Sequence, residues 1–371
     1  MLHGPVHLVI SPMKLPHPFG FTVHSLILAT ALTTAALHGA PSETPLWAYG
    51  FTTPYTPGEK ISPPGAPSHA LRANDDAGEQ TRKRTIAGSK ESFSLVEIRN
   101  GHDVVDWFPS DHPALSPIMR HGPASLGEKA YGCAFCHMPN GQGKPENAPV
   151  AGLPAAYFIR QMHDFKNGVR GSAEPRKSNT LTMVSHAQAM TEDEIKDAAD
   201  YFASLSFKPW IRVVETALVP RSKIVTNMFV SIEAERTEPI AGRIMEMPEN
   251  SDATELLRDP HSGFIAYVPI GSVRKGEALV KSGAPLVVDD KPVEGKTLAC
   301  ASCHGPELHG VAEIPGIAGR SPSYIARQLY DIQHGTRKSP LSQTMLPVVA
   351  HLTNDDLVAI SAYVASLPPT Q

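Results

Sequence analysis

Four cysteines are all the thiols in this 371-residue chain, and they fall into two identical spacings, Cys133-Ala-Phe-Cys136-His137 and Cys300-Ala-Ser-Cys303-His304. Cys-x-x-Cys-His is the attachment pattern of a c-type haem. Its two thiols add to two vinyl groups of one porphyrin as thioethers, and the next residue is placed to bind the iron from the proximal side. Two other chemistries use paired cysteines: four thiolates can hold one zinc, and a Cys-x-x-Cys pair in an exported protein can cycle as a disulfide. Neither requires His directly after each pair. The sequence therefore predicts two covalent haem c groups, each with its iron, anchored by Cys133, Cys136, Cys300 and Cys303 and ligated by His137 and His304. Such a chain must wrap its helices around two macrocycles.

The rest of each ligand set is expected from an internal repeat. With Cys133 laid on Cys300, Ala151-Gly152 falls on Ala318-Gly319, Tyr157 on Tyr324, Arg160-Gln161 on Arg327-Gln328, Asp164 on Asp331, Gly168 on Gly335 and Arg170 on Arg337, all without a gap. After five extra residues in the first copy the register resumes, with Met183 on Met345, Thr191 on Thr353 and Tyr201 on Tyr363. A thioether is a soft neutral axial ligand, and His/Met ligation raises a haem's potential over His/His. Met183 and Met345 are accordingly the expected distal ligands. Met190 is the rival in copy one, but its counterpart is Leu352, which suits core packing. His186 and His351 would give His/His ligation, yet they occupy non-equivalent positions and read as surface or loop residues. Arg160, Arg170, Arg327 and Arg337 recur in both copies as candidate propionate contacts, with salt bridging on a helix surface as the alternative.

Between motif and methionine, Phe158, Met162 and Phe165 recur with helical spacing, as do Ile325, Leu329 and Ile332. After the methionine, Ile195, Ala198, Phe202 and Leu205 match Leu357, Ile360, Val364 and Leu367. Thr191 with Glu194, and Thr353 with Asp356, form capping boxes that open these closing helices. Each copy thus reads as a motif helix, a middle helix, a Pro-rich methionine loop and a closing helix.

With CAFCH, CASCH and these methionine segments, the chain resembles a diheme protein of the class I cytochrome c family, similar in plan to cytochrome c4. The resemblance covers roughly residues 115 to 206 and 270 to 370. It implies a mainly α fold of two tandem cytochrome c-like helical domains, and periplasmic electron transfer. Cytochrome c4 joins its lobes by a short linker and lacks a large N-terminal extension, so the relative orientation of the haems does not carry over.

The expected organisation is a signal peptide over 1–40, a Pro/Gly-rich extension over 41–114, a first cytochrome domain over 115–206, a β-rich insert over 207–269 and a second cytochrome domain over 270–371. The apolar run 25–37 is too short to span a bilayer and matches a signal-peptide core. Its basic flank starts at Met13-Lys14, which makes Met13 an alternative start. Cleavage is expected near Ala36 or Ala40, with an uncleaved membrane anchor as the alternative. The 35 prolines, about twice the usual share, fit long connecting stretches. In the extension, Trp47 and Trp107 are expected to pack against the first lobe. In the insert, KIVTNMFVSIEA, GRIMEM and GFIAYVP favour strands.

A net charge of -4 leaves no basic excess for phosphates and disfavours a nucleic-acid binder. Matched His/Met candidates in both copies favour an electron carrier over an enzyme. Its partners would be redox proteins acting as donor and acceptor. The alternatives are a haem-bearing subunit of a membrane-bound dehydrogenase or oxidase, and a diheme peroxidase, which needs one open iron.

Overall fold

The computed structural model describes residues 43–61, 76–288, 291–293 and 295–369. The 25–37 run, both expected cleavage sites and part of the extension lie outside the described residues. Two helical cores carry the repeat. The first gathers α2 (Pro117–His121), α3 (Cys133–His137), α4 (Ala155–Lys166), α5 (Ser178–Ala189) and α6 (Glu192–Ala203); α1 (Leu46–Tyr49) precedes them in the chain. Phe158, Met162 and Phe165 of α4 are buried in one cluster with Ile195, Ala198 and Phe202 of α6. The Thr191–Glu194 capping box starts α6 with both reciprocal bonds in place.

The second core is built from α7 (Ser272–Ser282), α8 (Ala301–His304), α9 (Pro322–Gln333) and α10 (Asn354–Ser366). Ile325 and Ile332 bury with Leu357, Ile360 and Val364, and the Thr353–Asp356 box caps α10. Helix α7 has no counterpart among the sequence expectations. It crosses α10 so closely that a Cβ at Gly276 would lie 2.0 Å from the Ala359 carbonyl oxygen.

The two methionine segments differ. Pro340 and Pro347 break the second into short turns, Pro340–Gln343 and Leu346–Val349, with Met345 between them. The first carries no proline from Ser178 to Ala189 and forms the continuous helix α5, with Met183 inside it. The Pro-rich methionine loop is therefore found in copy two alone, because only there does proline remove backbone donors.

Strands occupy the insert: β1 (Ile211–Glu215), β2 (Leu218–Val225), β3 (Met228–Pro239), β4 (Met245–Pro248) and β5 (Phe264–Val268). β5 lies between β1, to which it is parallel, and β4, to which it is antiparallel. β2 and β3 form a hairpin turning at Thr226-Asn227, both at positive φ as a two-residue hairpin turn requires. Ile244 and Val268 bury against Val358 and Ala362 of α10, seating the insert on the second lobe.

The two tryptophans of the extension do not pack where the sequence suggested. Trp47 joins the second core and the insert, beside fully buried Ala48 and Tyr49. The Tyr49 hydroxyl donates to Asp331 at 2.7 Å, and Arg327 donates to the Ala48 carbonyl. Trp107 buries with Leu95, Ile98 and Phe108, and its Nε1 donates to the Leu257 carbonyl of the insert at 2.8 Å. A large aromatic goes where shape and an acceptor coincide, which local sequence does not encode.

Candidate cofactor centres

The second lobe brings its four expected residues together. Cys300, Cys303, His304 and Met345 line one cavity of about 340 Å³, a volume within the usual range for cofactor sites. Its walls are mainly apolar, with Ile317, Ile325, Leu329, Ile332, Leu352 and Val364 among them. His304 Nδ1 lies 2.8 Å from the Pro315 carbonyl. A carbonyl only accepts, so Nδ1 carries the proton and Nε2 keeps its lone pair, the arrangement of a metal-binding imidazole. Burial also holds the His304 pKa below its ordinary value, favouring the neutral ring.

In the first lobe His137 repeats the bond, Nδ1 to the Ala148 carbonyl at 2.8 Å, and burial again lowers its pKa. The space around it is divided. Cys133, Cys136, His137 and Met183 line a pocket of about 30 Å³, while His137 and Met183 also line one of about 90 Å³ walled by Arg170, Lys177 and Arg327. His137, Phe158, Met162 and Met183 belong to both linings and stand between them. The donor set suits a haem in both lobes, and in the second lobe all four donors line one undivided cavity.

The competing readings fare differently. The two Cys pairs line separate cavities, so one zinc shared by four thiols does not match this geometry. Burial pushes the Cys133 thiol up to about 12 and the Cys136 and Cys300 thiols up to about 11, opposite to the lowered values of redox-active pairs. Met190 is buried in the first core and lines the smaller pocket there. His351 is exposed, but His186 is not the surface residue expected: it is buried on α5. Its Nδ1 faces the Thr182 carbonyl at 3.0 Å and its Nε2 accepts the Tyr131 N–H at 3.0 Å, so both ring nitrogens are engaged.

The four arginines show a pattern that the alignment contained but did not reveal. Arg170 donates to Gln161 of its own lobe at 2.8 Å and to Tyr324 and Gln328 of the other at 3.0 and 3.1 Å. Arg337 does the reciprocal, reaching Gln328 at 3.1 Å and Tyr157 and Gln161 across the junction at 3.0 and 2.9 Å. The backbones meet there in an antiparallel bridge between Arg170 and Arg337. The Gly171 N–H donates to Thr336 O at 2.7 Å and the Lys338 N–H to Val169 O at 2.8 Å. Repeat-equivalent residues thus exchange partners about a local two-fold. Arg327 of the second lobe lines the first lobe's space, and Arg160 of the first lines the second's cavity. Burial of Arg170 and Arg327 rules out surface salt bridging for those two, whereas half-exposed Arg160 does pair with Glu313.

The cytochrome c family profile matches residues 124–206 and 292–368. Cytochrome c-554(548) of Halomonas halodenitrificans is 32% identical over 74 residues, 20% of this chain and 89% of that protein. The chain belongs to the cytochrome c family. Cytochrome c4 of Pseudomonas aeruginosa is 28% identical over 251 residues, 66% of this chain and 89% of the relative. The cytochrome subunit of sulfide dehydrogenase of Chlorobaculum tepidum is 32% identical over 102 residues, 27% of this chain and 86% of that protein. This cytochrome is diheme and cytochrome c4-like in plan, with an N-terminal extension and a middle insert.

Two residues of this cytochrome escaped the sequence reading. Arg320 is buried, donates across the junction to Pro149 O and Ala151 O at 2.8 and 3.1 Å, and lines the second cavity. Burial lowers its pKa to about 10. Its counterpart is Leu153, so a search for matched residues passes over it. Lys177 lies in the stretch 171–182, within which copy one carries its five extra residues. It is buried, donates to Tyr49 O at 3.3 Å and lines the first lobe's space. Burial drives its pKa well down. The insertion itself was the signal.

Proposed function

We propose that this cytochrome is an exported, periplasmic electron carrier holding two haems in two tandem cytochrome domains. In this reading Cys133, Cys136, Cys300 and Cys303 form the thioethers, and His137 with Met183 and His304 with Met345 are the axial pairs. The observation that carries it is the second lobe's apolar cavity, where both thiols, an imidazole with a free Nε2 and a thioether face one space. Bound haem supplies a one-electron iron couple at each site. The protein's residues do the rest. The Ala148 and Pro315 carbonyls fix the tautomer and tilt of each imidazole. The apolar walls exclude water, and Met183 and Met345 would each offer the iron a soft thioether, which gives potentials above those of His/His sites. Arg170 with Arg327, and Arg337 with Arg160, supply cationic donors to each space for propionate carboxylates.

A second reading places the chain as a haem-bearing subunit of a dehydrogenase complex. It is favoured by the likeness to the sulfide dehydrogenase cytochrome subunit, and by an extension and insert beyond the two matched regions. The deciding experiment is a pyridine haemochrome count with visible spectra on protein matured in a haem c-competent host. Two covalent haems per chain, a ferric sulfur-to-iron charge-transfer band and no carbon monoxide uptake on reduction establish the carrier. One reactive or methionine-free haem refutes it and favours an enzyme. Co-purification of a dehydrogenase favours the subunit reading.

A further inference from the structure

The two haem motifs differ sharply in what covers them. In the second lobe Ala301, Ser302 and Cys303 are all exposed. In the first, the equivalent Ala134 is buried, and Phe135 and Cys136 are half-buried. The difference arises from the segment after β4. The Arg258 guanidinium stacks 3.9 Å from the centre of the Phe135 ring and donates to the Phe135 carbonyl, inside the Cys-x-x-Cys turn itself. The segment is fastened on both sides. Lys144 pairs with Glu255 at 2.8 Å, Asn140 donates to Pro260 O at 2.7 Å and Trp107 donates to Leu257 O. Phe108 stacks on His261 at 3.8 Å. In the repeat register the residue opposite Phe135 is Ser302, which gives an arginine no ring to stack on.

We propose that Arg258 and the 252–262 segment cap the first haem motif, so that external one-electron partners meet this protein through the second lobe. The inference rests on the diheme reading above. Arg258 sits at φ +52°, a conformation that costs an L side chain energy and costs glycine none. Holding it there places the guanidinium over the motif, and a strained backbone retained in this way marks a position whose side chain is needed. A cap of this kind also excludes water from one haem edge and leaves the other wet, which separates their environments without any difference in ligands.

The test is proton NMR of the ferric diheme protein with an uncharged gadolinium chelate as surface probe. Haem methyl resonances are assigned to lobes by Overhauser contacts with Phe158 or Ile325. In the wild type the second-lobe methyls broaden several-fold more than the first-lobe set. In Arg258→Gly, which keeps the backbone its preferred conformation, the first-lobe set broadens as well. Equal broadening of both sets in the wild type, or a first set still protected in Arg258→Gly, overturns the proposal. A haemochrome count below two on the same sample would instead remove the diheme reading beneath it.

Discussion

Glu246 of β4 is a carboxyl in a place that disfavours its charge, and its replacement by Gln gives a quantitative test of how the insert is tied to the second lobe. The side chain is buried; its Oε2 accepts the Ser321 hydroxyl at 2.7 Å and the Ser323 N–H at 3.3 Å, at the start of α9, while Oε1 has no partner among the described residues. Burial outweighs these bonds and raises its pKa from 4.5 to about 7. The folded state therefore holds the proton more tightly than the unfolded chain. Below pH 4.5 both states are protonated and there is no penalty. The penalty grows as pH rises through the interval and is constant above about 7, where both states are ionised. At about 1.4 kcal/mol per pH unit, the gap corresponds to about 3 kcal/mol lost between pH 4.5 and 8. Glu246→Gln cannot ionise and loses none of it. Urea unfolding of both proteins at the two pH values, followed by far-ultraviolet circular dichroism, gives the difference of differences. Equal pH dependence in wild type and variant would refute a desolvated, ionising Glu246.

Three further outcomes follow from the geometry. On the proposed His/Met ligation, Met183→Ala and Met345→Ala each leave one iron without its sixth ligand, so the reduced variants take up carbon monoxide at one of two haems, seen as a Soret shift; a variant that binds none refutes that methionine as a ligand. Gly276→Ala drives a methyl into the Ala359 backbone and costs about 1–3 kcal/mol by thermal unfolding. Unchanged stability there would mean that α7 and α10 separate freely. Tyr49→Phe removes the hydroxyl from buried Asp331, which keeps the Ala173 N–H at 2.8 Å, and costs about 1–2 kcal/mol by the same assay.

What could be read in the sequence was what chemistry or periodicity writes locally. The thiol spacing named the cofactor type, the repeat paired Met183 with Met345, and the apolar faces of α4, α6, α9 and α10, with the capping boxes of α6 and α10, emerged at the expected residues. The strands of the insert followed from β-branched runs. What was hidden depended on distant partners. His186 looks like a loop residue until Tyr131 is folded onto it, and Trp47 finds its place only once the second lobe exists. The repeat alignment contained Tyr157, Gln161 and Arg170 with their twins, but nothing in a linear register says that twins trade partners. Arg320 and Lys177 were missed because they break the repeat.

The N-terminal extension of this chain closes onto its second lobe. Tyr49 meets Asp331 across 282 residues of sequence, and the first lobe's space takes Arg327 from α9 of the second lobe. Contacts of such span raise the entropic cost of closing the chain and slow folding. A ribosome delivering the N-terminus first thus releases a first lobe that lacks part of its wall, and an α1 with nowhere to bury Tyr49, until residue 331 has emerged. Truncations from the C-terminus should consequently damage the first half as well as the second, so that neither half stands as a complete unit without the other.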